Sequence, residues 1–191
     1  MNLCLDGRLK ARSLEMKRFV GRLQHESAEA FNDEVGSLYS TIPGVVVRLR
    51  VKRIGRLRIE RAPGQSHGDI DVLAADAARR CLFAIETKDL EVARTPVELA
   101  NELRQTFLVG LEPPSAVDRH LRRIDWLRKH VRETLEWLGI DAEDQERWKV
   151  EPLLVVDREL MGPFLTRPPI TVVSFRELKV RLLKDSATLR G

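Results

Sequence analysis

The chain has 191 residues, of which 43% are hydrophobic, 32% charged and 5% aromatic, with a formal net charge of +4. This length and apolar content suffice for one folded domain, so we expect a single domain over residues 1–191 and exclude a disordered chain. No run approaches about 20 uncharged apolar residues, and the start has no apolar stretch long enough for a signal peptide. Cys4 and Cys81 are too few for a disulfide framework. These features predict a soluble, cytoplasmic protein.

The first predicted element is a helix over residues 13–39. After a break at Ser27, Phe31, Val35 and Leu38 follow at helical spacing, and the sequence Ile42-Pro43-Gly44 ends the pattern. The next stretch alternates apolar and basic residues and reverses near Gly55, which predicts a half-exposed antiparallel hairpin.

This predicted hairpin is strongly basic, because residues 48–61 contain seven Lys and Arg and one acid. Its basic face comprises Arg48, Arg50, Lys52, Arg56 and Arg58. Such a face would follow a phosphate backbone with salt-sensitive, sequence-independent affinity. Alternatively, the arginines only keep an exposed strand soluble and unpaired.

Two apolar strands are predicted within residues 68–90, around a turn at residues 77–80. Side chains alternate along a strand, so Asp69 and Asp71 share one face, as do Glu86 and Lys88 on the next strand. With this turn, Asp71 lies opposite Glu86, and Asp69 lies opposite Lys88.

The remainder of the chain predicts helices and strands in alternation. Capping boxes at Thr95 and Ser115 begin two helices, and the second is expected to run to residue 138 with its arginines, Arg123 among them, outside the inward apolar stripe. Residues 152–156 and 170–173 are predicted strands, and Ser174 caps a last helix. This order indicates an α/β protein with a mixed central sheet flanked by helices.

The opposed carboxylates need compensation, because like charges facing each other on a covered sheet are destabilising. One solution is protonation of a carboxylate, and another is a divalent cation such as Mg²⁺, which prefers oxygen ligands. The alternative is a salt-bridge network in which Lys88 neutralises either acid. The pattern Glu-x-Lys alone is weak, since Glu15-Met16-Lys17 and Glu177-Leu178-Lys179 also match it.

The segments Gly68-Asp69-Ile70-Asp71-Val72-Leu73 and Ile85-Glu86-Thr87-Lys88 resemble the PD-(D/E)xK nuclease superfamily, with Ile70 in place of the proline. The resemblance implies a restriction-endonuclease-like αβββαβ core over about residues 27–157, with an N-terminal helical extension (1–26) and a C-terminal strand and helix (158–191). It implies that Asp71, Glu86 and the Thr87 carbonyl bind Mg²⁺ or Mn²⁺. Lys88 would lie beside the nucleophilic water.

Three further residues are candidates for the same site. Asp69 is either a second metal ligand or the cross-strand partner of Lys88. Glu34, expected on the inward stripe of the first helix, matches an acid that many relatives carry there, and Gln105 resembles a glutamine of some relatives. The expected partner is nucleic acid, most simply DNA, with homodimerisation or association with further domains open. The alternative function is a non-catalytic nucleic-acid-binding or protein-interaction module, for which the arginine-rich helix around residues 120–132 would be an interface.

Overall fold

The computed structural model describes residues 12–62 and 64–188. The strands are β1 (Val45–Val51), β2 (Arg53–Ile54), β3 (Leu57–Arg58), β4 (Glu60–Ala62), β5 (Gln65–Ser66), β6 (Ile70–Asp76), β7 (Cys81–Lys88), β8 (Lys149–Val156) and β9 (Thr171–Ser174). Five of them form a sheet in the order β1-β6-β7-β8-β9. The pairs β1–β6 and β6–β7 are antiparallel, whereas β7–β8 and β8–β9 are parallel.

The helices are α1 (Leu14–Ser40), α2 (Pro96–Glu102), α3 (Ala116–Lys129), α4 (Val131–Leu138), α5 (Gly162–Thr166) and α6 (Phe175–Thr188). A π-helical segment, Leu103–Phe107, continues α2, and a short 3-10 helix covers Gln145–Arg147. Both predicted capping boxes are present, Thr95 with Glu98 and Ser115 with Asp118. The antiparallel and parallel strand pairs, together with these helices, confirm the expected mixed sheet flanked by helices.

Helices cover both faces of the sheet. On one face, α1 and α6 pack on the strands through Phe31, Val35, Tyr39, Leu178 and Leu182, which meet Val72, Ala74 and Ile85. On the other face, α3 and α4 contribute Ile124, Leu127, Leu135 and Leu138, which meet Leu73, Ala75, Leu82 and Ala84. Each large aliphatic side chain that is fully buried stabilises the fold by about 1.5–3 kcal/mol. Buried on both faces, β7 holds its polar residues in fixed positions.

Two predicted helical features are wrong, and one short helix was not predicted. The break at Ser27 is wrong, because α1 is continuous and the Ser27 hydroxyl donates to Asp89 Oδ2 at 2.6 Å. The single helix to residue 138 is wrong, because His130 has φ −127° and ψ 34° and separates α3 from α4. The proline-rich loop before β9 contains the short helix α5, which was not predicted.

The predicted basic hairpin is mostly wrong. Within the predicted hairpin, β2 and β3 pair with each other at Gly55, whereas β1 pairs with β6. Arg50 has φ 51°, and at this point β1 changes the face it buries: Leu49 packs with the α1 core and Val51 with the α3–α4 core. A left-handed residue inside a strand is not predictable from alternation, which assumes regular backbone.

Across residues 12–62 and 64–188, the structure has no helix of the length and apolar character needed to cross a membrane.

Candidate active site

The hairpin of β6 and β7 brings the acidic residues together. Its register runs from Val72 opposite Ile85 to Asp76 opposite Cys81, with the turn at residues 77–80, as predicted. At Asp71 a side-chain contact replaces the backbone pairing of the two strands, because the Thr87 N–H donates to Asp71 Oδ2 at 2.8 Å. The Asp71 side chain thus takes the position of a backbone acceptor and is fixed against β7.

Asp71 lies in an environment that disfavours its charge. Burial and the neighbouring negative charge of Glu86 raise the pKa of Asp71 to about 6, against the opposing effects of the Thr87 N–H, Lys88 and Arg123. A carboxylate that is desolvated beside another carboxylate binds a proton or a cation more tightly. Its raised pKa brings protonation of Asp71, one of the two solutions expected from the sequence, close to neutral pH.

A buried hydrogen bond between Thr87 and α1 holds Thr87 in place beside Asp71. The Thr87 hydroxyl hydrogen-bonds to Asn32 Oδ1 on α1, and the same hydroxyl lies 3.4 Å from Asp71 Oδ2. Asn32 is 8% exposed. Sequence reasoning missed Asn32, although its position directly after Phe31, three residues before Val35, places a polar residue on the inward stripe.

Glu86 is held between two cations. Its carboxylate is 4% exposed, with Lys88 Nζ 2.7 Å from Oε1 and Arg123 Nη2 2.7 Å from Oε2. Burial alone would raise the pKa of Glu86, but the positive charges of Lys88 and Arg123 outweigh it and lower that pKa. The Arg123 contact lacks hydrogen-bond geometry, so Oε2 accepts no hydrogen bond from the described residues. The salt-bridge network that the sequence left open is therefore present.

Arg123 was expected outside the buried face of its helix, and this is wrong. Its side chain is 5% exposed. Nη1 donates to the Asp69 carbonyl, and Nε donates to the Arg119 carbonyl at 3.3 Å. These neutral acceptors hold the guanidinium where it meets Glu86. An arginine on a polar helix is ordinarily solvated, so the sequence alone contains little signal for it.

His120, expected on an interface helix, is instead fully buried. Its Nε2 lies 3.1 Å from the Ala84 carbonyl, an acceptor, so this nitrogen carries the proton. Nδ1 lies 4.0 Å from Glu86 Oε2. Burial lowers the pKa of His120 to about 4, although Glu86 acts in the opposite direction. His120 is therefore neutral near pH 7.

Two further predicted metal ligands, Glu34 and Asp69, do not lie where the sequence predicted them. The inward placement of Glu34 is wrong, because the buried stripe of α1 contains Phe31, Asn32, Val35 and Tyr39, and Glu34 is exposed. The pairing of Asp69 with Lys88 is also wrong, since Lys88 contacts Glu86 and the Asp69 carbonyl contacts Arg123. Within the described part of the chain, no three His, Cys, Asp or Glu side chains are grouped to hold a metal ion.

The site offers few oxygen ligands for Mg²⁺. Asp71 and Glu86 supply carboxylates on adjacent strands, and Glu86 Oε2 is a buried oxygen that lacks a hydrogen-bond donor. Two carboxylates with water ligands are a usual Mg²⁺ set. Both Glu86 oxygens nevertheless contact resident cations, so the donor chemistry fits while the local charge opposes binding.

The predicted basic face is divided between different parts of the surface. Arg50 turns to α1, with Nη2 2.7 Å from Asp33 Oδ1 and Nε 3.6 Å from Glu29 Oε1. The Arg48 guanidinium lies 6.0 Å from the Trp137 ring centroid on the other side of the sheet. Three members are exposed around the β2–β3 hairpin: Lys52, Arg56 and Arg58. Gln105 is exposed in the π-helical segment after α2.

Comparison with known proteins gave no match to a family model, a curated protein or a solved structure.

Proposed function

We propose that the protein is a Mg²⁺- or Mn²⁺-dependent nuclease that hydrolyses phosphodiester bonds, most simply of DNA. The order of a helix, three antiparallel strands, helices and a parallel strand is compatible with the restriction-endonuclease-like core that the sequence resembles. The observation that carries the proposal is the meeting of Asp71 and Glu86, close enough for Glu86 to help raise the pKa of Asp71, with Lys88 Nζ 2.7 Å from Glu86 Oε1.

Each residue has a distinct role in this proposal. Asp71, Glu86 and the Thr87 carbonyl would hold the metal ion, which when bound lowers the pKa of water and neutralises charge at phosphorus. The Lys88 side chain is 30% exposed, so its amine reaches solvent and can orient a water or contact a phosphate oxygen. The Thr87 N–H fixes the Asp71 carboxylate, and Asn32 fixes the Thr87 side chain.

A second candidate is a non-catalytic nucleic-acid-binding or protein-interaction module on the same fold. The observation that favours it is the ion pairing of both Glu86 oxygens, which neutralises the charge of this carboxylate without a metal ion. In that case Lys88 and Arg123 serve only to neutralise a buried charge.

Cleavage of supercoiled plasmid and of labelled single-stranded DNA and RNA, with Mg²⁺, Mn²⁺ or EDTA, separates the two candidates. We expect metal-dependent cleavage by the wild type and its loss, by at least about 100-fold, in Glu86→Gln and Lys88→Met. Matched controls are Glu177→Gln and Lys179→Met, which alter an exposed Glu-x-Lys on α6 whose glutamate pairs with Arg181 rather than with a residue of the site. They should cleave as the wild type does.

The nuclease proposal fails if folded wild type shows no metal-dependent cleavage of any of these substrates. It also fails if Glu86→Gln and Lys88→Met retain the rate of the two controls, because the activity would then come from elsewhere or from a contaminant.

A further inference from the structure

A cleft of about 600 Å³ lies between α3 and the segment that leads into β6. Trp126 and His130 line it from the end of α3, and His67 lines it from the segment before Asp69. Most of its lining residues belong to the arginine-rich helix around residues 120–132, which the alternative function treated as an interface. Its side chains combine aromatic rings with exposed positive charge.

The aromatic pair is held in a fixed geometry. The rings of Trp126 and His130 are stacked, with centroids 4.0 Å apart and an interplanar angle of 19°. His130 Nδ1 lies 2.8 Å from the Trp126 carbonyl, which holds the imidazole parallel to the indole. Trp126 packs on the α3–α4 core, so His130 extends the stack away from it. Ordered rings of this kind are a platform on which an unpaired base stacks.

The charges of the cleft favour an anion. Its two acids already have cations nearby: Glu60 Oε1 lies 3.9 Å from Arg58 Nε, and Asp125 Oδ1 lies 3.5 Å from Arg128 Nη1. Arg122 and Lys129 are exposed in the same cleft and form no ion pair with the described residues. Seven residues apart on α3, they lie about 10 Å apart along its axis, on either side of Trp126.

Two residues of the cleft are close in the chain to residues that surround Glu86. Arg122 directly precedes Arg123, which contacts Glu86, and His67 is two residues before Asp69, whose carbonyl accepts from Arg123. A strand lying along α3 would therefore reach the site from this side.

We propose that this cleft binds single-stranded nucleic acid, with a base stacked on the Trp126–His130 pair and phosphates at Arg122 and Lys129. Its role in guiding a strand to Asp71 and Glu86 rests on the proposed nuclease function, whereas binding itself does not. An unstacked base is required because a base inside a duplex has no free face.

Binding is measured in EDTA by fluorescence anisotropy, with labelled 12-mers of oligothymidylate, of its abasic backbone and of a duplex. The full chain should bind oligothymidylate more tightly than either of the others. Arg122→Gln and Lys129→Gln should each weaken binding about 3- to 10-fold and reduce the log–log salt slope by about 0.7. Arg176→Gln, an exposed arginine on α6 across the sheet, is the matched control and should change nothing.

The stack is tested by His130→Asn, which removes the ring and keeps a polar side chain. It should weaken oligothymidylate binding about fivefold or more and leave abasic binding unchanged. The inference is overturned if the cleft variants bind like Arg176→Gln, or if the abasic or duplex 12-mer binds as tightly as oligothymidylate. If cleavage requires Lys88 but the cleft variants bind as the wild type does, the cleft proposal is rejected and the nuclease proposal stands. If the cleft variants weaken binding but the wild type does not cleave, the nuclease proposal is rejected and the cleft proposal stands.

Discussion

Arg123 and Glu86 form a buried ion pair, with Nη2 2.7 Å from Oε2, and Lys88 completes it with Nζ 2.7 Å from Oε1. The two cations come from different elements, Lys88 from the same strand as Glu86 and Arg123 from α3. The ion pair with Arg123 therefore joins α3 to β7 beside Asp71 and Glu86.

Replacement of Arg123 by Met should be strongly destabilising. It leaves Glu86 buried with only Lys88 as a partner, and removal of one partner of a buried ion pair typically costs about 3–5 kcal/mol. The double variant Arg123→Met/Glu86→Gln should recover a large part of this loss, because the uncompensated charge is gone. Urea unfolding of the four proteins in the cycle gives the coupling free energy. Additive effects would contradict the pairing.

The pH dependence of stability should expose two opposing titrations. The pKa of Asp71 is raised to about 6, so the folded state binds more protons and stability falls as pH rises from about 4 to 6. The pKa of His120 is lowered to about 4, so the unfolded state binds more protons and stability rises with pH up to about 6.5. Each amounts to at most about 3 kcal/mol, and together they nearly cancel.

Two variants separate these contributions. Asp71→Asn should make stability rise more steeply between pH 4.5 and 6.5, and His120→Gln should make it fall over the same interval. The free energy of unfolding, measured in EDTA at several pH values, checks both. Parallel curves for the three proteins would rule out the assignments.

The β6–β7 hairpin was predictable because its turn and its alternation of side chains are local features of the sequence. The register that places Val72 opposite Ile85 follows from the four-residue turn. The surroundings of Glu86 were not predictable. Arg123 comes from a helix 37 residues later in the chain, and its burial depends on carbonyl acceptors that no sequence pattern reports. Likewise, Asn32 rather than Glu34 lies inward, because the buried stripe of α1 includes Gly36 and Tyr39 and is rotated away from Leu38, which is only half-buried.

Arg50 offers a test of the change of face in β1. Arg50→Ala loses the ion pairs to α1 and keeps the left-handed backbone at φ 51°, whereas Arg50→Gly relieves the strain of that conformation. We expect the Gly variant to be more stable than the Ala variant by about 1 kcal/mol. At Arg48, which lies in ordinary strand backbone, the order should reverse by about 0.5–1 kcal/mol. Thermal or urea unfolding measures both pairs, and the same order at both positions would refute the kink.

The divided basic surface predicts unequal contributions to nucleic-acid affinity. Lys52→Gln and Arg56→Gln should each reduce the salt slope of duplex DNA binding by about 0.9, since both side chains are exposed. Arg50→Gln should leave the slope unchanged, because Asp33 and Glu29 already neutralise this guanidinium. Anisotropy titrations at salt concentrations between about 50 and 200 mM provide the slopes. A loss at Arg50 equal to that at Lys52 would contradict the division.

The four-residue turn at residues 77–80 has a kinetic consequence. Contacts between β6 and β7 close a short loop, whereas β8 pairs with residues of β7 that lie about 70 positions earlier in the chain, as Glu86 opposite Leu154 shows. We therefore expect Asp71 and Glu86 to meet early in refolding, before Arg123 of α3 reaches Glu86. Acidic conditions, which protonate these carboxylates, should accelerate that early phase, and stopped-flow refolding as a function of pH would reveal it.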